Sequence, residues 1–363
     1  MMHITHLDIR NFRNLKHIEL HPSKGVNILS GANSSGKTSF LEAIYLLGLG
    51  RSFRTVQLIS AIQAGMESLR VVAKVKQVGG SHTAGVEFGP AGFRARINKD
   101  TVKKRSQLAT QLPLLYMSSY SHVVLDGGPR YRRQWLDWSL FHLEPGFHDL
   151  WWCYQRTLKQ RNHVLRVHKP SWQQEINAWN KKLSTYGEQI TSLREAILFK
   201  LQDSVSQLFT ALAHQPISPV TMEFKQGWAR TVRLEEILNE SLNYDRAAGY
   251  TRYGPHRAEV AFYVDGKDVR EILSRGQQKV FCYSLALSQA NLLYRTKEQN
   301  CIFLIDDFTS ELDADHQKRL LTLLNKLGMQ VFATTIESLG SEIKAHPNIK
   351  EFHVKLGQVE EMV

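Results

Sequence analysis

The sequence predicts an α/β domain assembled from both ends of the chain and interrupted by an inserted helical lobe. Three observations predict it. The first fifty residues read as strand, strand, glycine loop and helix. From about Tyr131 to Leu242 the chain is long, polar, helical and poor in glycine. From Val260 strand and helix patterns alternate again up to the C-terminus. These boundaries divide the chain into 1–130, 131–245 and 246–363, with the outer two segments forming one lobe.

The elements follow from pattern. "ITHLDIR" (4–10) alternates apolar and polar residues, as a half-buried strand does. "GVNILS" (25–30) is a short apolar run, as in a buried strand. "KTSFLEAIYLLGL" (37–49) sets Phe40, Ile44 and Leu47 on one helical face. "LRVVAKVKQV", "TAGVEFG" and "FRARIN" (between 69 and 98) alternate, separated by Gly-Gly and Gly-Pro breaks. In the middle segment "HKPSW" (168–172) interrupts the helical pattern. Trp135, Trp138, Trp151, Trp152, Trp172 and Trp179 lie there among many Arg and Lys, a mixture that suits either core packing or a grip on nucleic acid. After it come "EVAFYVDG", a helix, "CIFLIDD", a helix, "QVFATT" and a strand pair at "EFHVKLGQVEE".

Bulk properties narrow the function classes. The 363 residues suffice for a large core, and 42% hydrophobic with 22% charged residues is ordinary for a soluble protein. The net charge of +12 favours an acidic partner, either nucleic acid or an anionic membrane face. Cys153, Cys282 and Cys301 form no CxxC pair, which argues against a zinc or redox site and fits a reducing cytoplasm. Neither a secretory signal nor an apolar stretch of membrane-spanning length is predicted, so a cytoplasmic location is expected. The fifteen histidines lack metal-site spacing.

Two motifs carry chemistry. "GANSSGKT" (Gly31, Ala32, Asn33, Ser34, Ser35, Gly36, Lys37, Thr38) fits G-x-x-x-x-G-K-[ST] between a buried strand and a helix. Its glycines let backbone N–H groups turn toward phosphates, Lys37 neutralises phosphate charge, and Thr38 offers a hydroxyl to Mg²⁺. "CIFLIDDFTSELD" (301–313) is an apolar strand ending in two carboxylates. There Asp306 suits Mg²⁺ and Asp307 suits the polarising of an attacking water. Together the motifs describe one nucleotide site with Mg²⁺. A third stretch, "LSRGQQK" (273–279), starts a helix with Ser274, Gly276 and Gln277. Ser274 reads as an N-cap, whereas Gly276 adds nothing to capping and permits close approach of another group.

Phosphate loop, Ser-x-Gly-Gln helix start and acidic strand followed by "SELD" (Ser310–Asp313) stand in the order of the ABC ATPase superfamily, which the sequence resembles. The resemblance implies that Ser274, Gly276 and Gln277 meet ATP held by a second copy, in an ATP-dependent homodimer. A closer resemblance is to the bacterial RecF family. It rests on "LDIRNFRNL" (7–15), "NSSGKTSFLEAIYLLGLGRSFRT" (33–55), "GGPRYRRQWLD" (127–137), "YGPHR" (253–257) and "LIDDFTSELD" (304–313), and covers most of the chain. It implies an ABC-type, SMC-like ATPase head with an inserted helical lobe. It further implies binding to single-stranded, gapped or linear DNA, and work with RecO and RecR in RecA loading and the SOS response. Without long heptads or a CxxC hook, a full coiled-coil arm is not expected.

The sequence departs from the superfamily in three places. Asp307 stands where Glu is usual, which predicts slow hydrolysis. "FATTI" offers Thr334 and Thr335 in place of a switch histidine, and "YMSSYSH" (116–122) lacks the usual Gln or Glu, so the γ-phosphate contact stays open. Several basic groups have two readings. Arg51 and Arg54 face phosphate or are solvated loop charges. Arg130, Arg132 and Arg133 order a junction or touch DNA. His256 and Arg257 pack or contact a ligand. Lys103, Lys104 and Arg105 read as a solvated face. The rival functions are a transporter ATPase subunit and a nucleotide-binding adaptor that does not gate DNA.

Overall fold

A computed structural model describes residues 2–167, 172–213, 218–336 and 348–362, the side chains of 310 and 311 excepted. The chain divides into two compact units. The first comprises 1–121, 211–215 and 279–363; the second comprises 122–210 and 216–278.

In the first unit, β1 (His3–Phe12) and β2 (Leu15–Leu20) form a hairpin, followed by β3 (Val26–Ser30) and α1 (Lys37–Leu49). Next come β4 (Leu69–Gln77), β5 (Gly80–Gly89), β6 (Gly92–Ile97), β7 (Asp100–Thr101), α2 (Arg105–Gln111) and β8 (Leu114–Met117). Strands β1, β2 and β4–β7 make an antiparallel sheet in the order β2-β1-β4-β5-β6-β7. Its inner residues, among them Leu7, Ile9, Val71, Ala73 and Val86, are buried, which accounts for the alternation. Helix α1 is buried on almost every side, and its core is continuous with both the antiparallel sheet and the strands behind it. The face expected at Phe40, Ile44 and Leu47 is buried, but so are Leu41, Glu42, Ala43 and Leu46.

The second unit holds α3 (Val123–Asp126), α4 (Pro129–Leu143), α5 (Phe147–Arg166), α6 (Trp172–Leu212), β9 (Val220–Lys225), α7 (Leu234–Glu240), α8 (Leu242–Ala248), β10 (Glu259–Val264), β11 (Lys267–Asp268) and α9 (Val269–Ile272). The break expected at 168–172 lies, except for Trp172, outside the described residues. Strand β9 was not expected: it pairs antiparallel with β10, Val220 opposite Val264 and Lys225 opposite Glu259. "EVAFYVDG" therefore belongs to a small sheet, β11-β10-β9, of the helical unit. This moves the compact boundaries to 121/122 and 278/279, away from 130/131 and 245/246. The physical reason is that Phe262 of β10 packs edge-on against Trp135 of α4, and Arg132 of α4 holds Glu259 of β10 in a bidentate ion pair. The outer edge of β9 is occupied by side chains. The Gln202 amide donates to the Val220 carbonyl at 2.5 Å and accepts from the Met222 N–H at 2.8 Å, Ser206 Oγ accepts from the Val220 N–H, and Arg230 donates to the Phe224 carbonyl.

Trp135, Trp172 and Trp179 take the packing reading, the last two against Val164, Leu165 and Ile176. Trp135 is buried, while Trp151, Trp152, Trp172 and Trp179 each carry a cation over the ring: Arg194, Arg156, Arg246 and Lys182 respectively.

A polar network threads this unit. Arg161, fully buried, pairs with the equally buried Asp245 at 2.7 Å and donates to Asn180 and Thr251. Arg194 grips Asp137 and the Pro255 carbonyl. His256 donates from Nε2 to the Thr251 carbonyl (3.1 Å) and accepts from the Tyr154 hydroxyl at Nδ1 (2.6 Å). Burial, reinforced by Arg257, Arg133 and Arg161, pushes the His256 imidazole down to about 4. The unfolded chain then binds a proton that the folded chain refuses between about pH 6.5 and 4, so stability is lost as pH falls through that window. The loss amounts to about 3 kcal/mol. Urea midpoints at pH 7 and 4.5 should show a shallower acid decline for His256→Gln than for wild type, even though the variant starts lower. An equal decline would remove His256 as the cause.

Helix α10 (Arg275–Lys297) opens in the second unit and runs on through the first. Then come β12 (Ile302–Ile305), α11 (Phe308–Glu311), α12 (Ala314–Lys326), β13 (Gln330–Thr335), β14 (Ile349–Lys355) and β15 (Gln358–Glu361). With β3 and β8 they complete a second six-stranded sheet, β15-β14-β3-β13-β12-β8, parallel except for the β14–β15 hairpin. The chain ends thus meet in one sheet, as the sequence predicts. Strand β8, only four residues long, was not expected. Among the described residues no helix is long and apolar enough to cross a membrane.

Candidate nucleotide site

The parallel strands end in register. Ser30 of β3 lies opposite Thr335 of β13, and Ile305 of β12 lies opposite Ala333 and Met117. Loops leaving those ends meet at one edge, where parallel sheets place ligands. A cleft of about 710 Å³ opens there, within the size range of small-molecule sites. Asn33, Ser34, Gly36, Lys37, Thr38, Asp306, Asp307 and Thr334 line it, with Arg13, Asn14, Arg54 and Ser119.

The loop after β3 is shaped by its glycines. Gly31 and Gly36 have φ of 150° and 124°. A Cβ on Gly31 would run into the Val354 carbonyl, and one on Gly36 would come within 2.8 Å of Leu15. Lys37 is buried, and its ammonium donates to the carbonyls of Gly31 (2.6 Å) and Ala32 (2.8 Å). Burial draws its pKa below the usual lysine value, against the pull of Asp307 and Asp306. Helix α1 starts with no side-chain cap and no acid in its first turn, so its N-terminal dipole faces the cleft uncancelled. Ser35 Oγ is buried without a hydrogen-bond partner among the described residues. A loop with open N–H groups, an orphaned hydroxyl and a buried ammonium fits a polyphosphate.

Asp306 lies beside the loop. Its Oδ1 accepts from the Thr38 hydroxyl at 3.1 Å and from the Thr334 hydroxyl at 2.7 Å. Thr334 Oγ1 also accepts the Asp307 N–H at 2.8 Å, so one threonine ties both acids to β13. The Thr38 hydroxyl and Asp306 carboxylate are hard oxygen donors of the kind Mg²⁺ takes. Asp307 is left-handed, φ 60° and ψ 51°, a conformation that Asp adopts more readily than Glu. That gives a backbone reason for the shorter acid here. Thr335 hydrogen bonds Thr309 at 2.9 Å instead of joining the cleft wall.

Sequence reasoning missed Arg13 and Glu42. Arg13 sits in the β1–β2 turn with φ 55°. Its guanidinium grips the fully buried Glu42 carboxylate of α1 (2.8 and 3.1 Å) and the Ser60 carbonyl. Arg54 lies 3.6 Å from the same carboxylate. Phe53 stacks on Tyr116 at 4.2 Å, anchoring the loop that carries Arg54. Of the two loop arginines, Arg54 lines the cleft and Arg51 is exposed away from its lining. The only early signal for Arg13 was the "RNFRN" stretch itself.

Ser274, Gly276 and Gln277 fall in the second unit. Ser274 and Gln277 form a reciprocal cap: the Gln277 N–H donates to Ser274 Oγ (3.3 Å), and Gln277 Oε1 accepts the Ser274 N–H (2.9 Å). The capping reading therefore holds for these two. Gly276 is different, since a Cβ there would meet nothing within 4 Å. Among the described residues no contact asks for glycine at that position. In the "SELD" stretch, Leu312 is buried and Asp313 caps α12, whereas the side chains of 310 and 311 lie outside the description.

The remaining basic groups also find places. Arg132 is buried on Glu259 and the Leu125 carbonyl, and Arg133 donates to the Ala258 carbonyl, a structural role for both. Arg130 is exposed. His256 packs inside the network above, whereas Arg257 is exposed. Lys103, Lys104 and Arg105 are exposed, with Arg105 resting over Phe93. Among the described residues no cluster of three or more His, Cys, Asp or Glu side chains has metal-site geometry.

Comparison with known proteins agrees with this architecture. Residues 3–354 match the RecF/RecN/SMC N terminal domain. The DNA replication and repair protein RecF of Thioalkalivibrio sulfidiphilus is 38% identical over 363 residues, covering 98% of each chain. RecF of Pseudomonas aeruginosa strain LESB58 is 37% identical, covering 99% of this chain and 97% of that protein. Among solved structures, the recombination mediator protein RecF-ATP of the RecFOR pathway superposes with a TM-score of 0.87 at 25% identity, covering 100% of this chain and 98% of that one. An Smc head domain from Pyrococcus furiosus shares the fold, with a TM-score of 0.60 at 14% identity, covering 100% and 96%. With its phosphate loop, its two carboxylates at a shared strand edge and these likenesses along its whole length, the chain belongs to the RecF family and has the α/β ATPase-head fold common to RecF and SMC proteins.

Proposed function

We propose that this chain is an ATP-dependent DNA-binding protein of replication and recombinational repair. The observation that carries the reading is Asp306, hydrogen-bonded to Thr38 and Thr334 in the same cleft as buried Lys37. In this reading Gly31–Thr38 cradle the phosphates of ATP, and Lys37 exchanges its loop carbonyls for phosphate oxygens. Thr38 and Asp306 hold Mg²⁺, whose charge offsets that of the phosphates. Asp307 orients water, and its short reach keeps turnover below about 10 s⁻¹, the median for enzymes. Ser119 and Thr334, both in the cleft lining, are our candidates for the γ-phosphate contact.

ATP acts here as glue between two copies. Ser274, Gly276 and Gln277 of one copy complete the site of the other, and the open space beside Gly276 supports this. The first unit carries the phosphate loop, Asp306 and Asp307, and the helical unit carries Ser274, Gly276 and Gln277. The closed dimer binds single-stranded, gapped or linear DNA through its basic surface, in keeping with a net charge of +12. Relatives named for the RecFOR pathway suggest RecO and RecR as partners, with RecA loading and SOS induction as the outcome in the cytoplasm.

The reading is tested by anisotropy of labelled gapped DNA with MgATP or MgADP over a salt series. Tighter binding with ATP that falls steeply with salt is expected; equal binding in both states would move the role to a nucleotide-binding adaptor. By light scattering, Ser274→Arg should bind ATP normally yet fail to dimerise. Ser274→Ala, which loses the same cap bond without added bulk, separates occlusion from loss of the cap.

A further inference from the structure

Residues 241–257, which include the "YGPHR" stretch, carry three arginines, three tyrosines and one carboxylate. That carboxylate, Asp245, is buried on Arg161 and so contributes no surface charge. Two tyrosines are open to solvent: Tyr244 is 66% exposed and Tyr250 is 42% exposed. Each carries a guanidinium over its ring, Arg252 at 5.8 Å from Tyr244 and Arg257 at 5.3 Å from Tyr250. Arg252 and Arg257 are themselves exposed.

The patch is held rigid from beneath. Gly249 ends α8 in a left-handed conformation, and its carbonyl accepts from Arg166 Nε at 2.8 Å. Thr251 is turned inward, its N–H and hydroxyl both donating to Asn162 Oδ1 at 2.8 and 2.7 Å. Tyr250 and Arg252, on either side of it, are both exposed. The Arg252 N–H is fixed to Asp245 Oδ1 at 3.1 Å. Exposed rings and cations on an immobilised backbone are preorganised for a ligand, because little ordering entropy remains to be lost.

We propose that this surface of the helical unit binds an unpaired nucleic-acid strand, Tyr244 and Tyr250 stacking bases while Arg252 and Arg257 meet phosphates. A duplex keeps its base faces stacked inside, out of reach of a tyrosine ring, whereas a single strand offers them. The inference rests on the DNA-binding reading above and narrows it to a strand type and a surface.

The test is anisotropy of labelled oligothymidylate and of a blunt duplex with the full-length protein in MgATP. Tyr244→Ala/Tyr250→Ala should weaken oligothymidylate binding by about tenfold or more. Its duplex affinity and its affinity for a fluorescent ATP analogue should stay unchanged. Tyr244→Phe/Tyr250→Phe keeps the rings and should bind oligothymidylate as wild type does. Arg252→Gln should flatten the salt slope on oligothymidylate by about 0.7, the loss of one phosphate contact. Equal oligothymidylate binding by wild type and the double alanine variant overturns the inference and turns the patch over to a protein partner. So does a wild type that binds gapped or duplex DNA but not oligothymidylate, while the broader reading survives. Failure of wild type to bind any of these DNAs sinks both.

Discussion

Lys37→Ala is expected to weaken ATP binding by about 100-fold, the effect of losing roughly 3 kcal/mol of charge-assisted contacts to phosphate. The structure explains why the loss should be specific to the ligand. The ammonium is buried and rests on two loop carbonyls, so removing it deletes two hydrogen bonds and one desolvated charge, which oppose each other. Stability without nucleotide should therefore move by no more than about 1 kcal/mol. Melting curves with and without MgATP make the distinction. Wild type should gain several degrees by mass action, and the variant should gain nothing at the same concentration. A variant that keeps the ATP-induced shift would show that the cleft is not a phosphate site.

The largest effect on stability is expected at Arg161. Arg161→Leu leaves the Asp245 carboxylate, itself fully buried, without its cation, and strands the Asn180 and Thr251 acceptors. Breaking a buried pair from one side costs about 3–5 kcal/mol, which lowers Tm by on the order of 10 °C for a unit of this size. The double variant Arg161→Leu/Asp245→Asn removes the orphaned charge and should recover much of the loss. If the double variant is as unstable as the single one, the damage comes from packing around the leucine and not from an unpaired acid. Amide exchange in α5, α6 and α8 would report the effect locally, because Arg161 bridges these helices.

What the sequence discloses depends on how far along the chain a feature's causes lie. The phosphate loop, Asp306 and Asp307 were legible because each is local: a glycine pattern or an acid pair directly after an apolar strand. The conformation of Asp307 was not. Asp in place of Glu looks like a simple loss of reach, yet the left-handed backbone at that residue selects the shorter side chain. Arg13 and Glu42 were illegible as a pair, being 29 positions apart in chain and joined only once the β1–β2 turn packs beside α1. The even burial of α1 had the same origin, since a helix between two sheets has no solvent face to advertise. Strand β9 does alternate, with Val220 and Phe224 buried, but six residues of period two are easily hidden in a long helical context. Ser274 could be read as a cap from sequence, and the cap is formed. The space beside Gly276 was not legible, because it is set by which described residues fold away from that turn.

The side chains along β9 have a consequence for how copies of this protein meet. A bare strand edge is an adhesive surface that recruits any passing strand, including its own image in another molecule. Here the Gln202 amide imitates a neighbouring backbone, and Ser206 and Arg230 cover the groups it leaves. The small sheet is thereby closed to growth in that direction. A strand from elsewhere finds few open backbone groups there, so the edge stays bound within its own molecule.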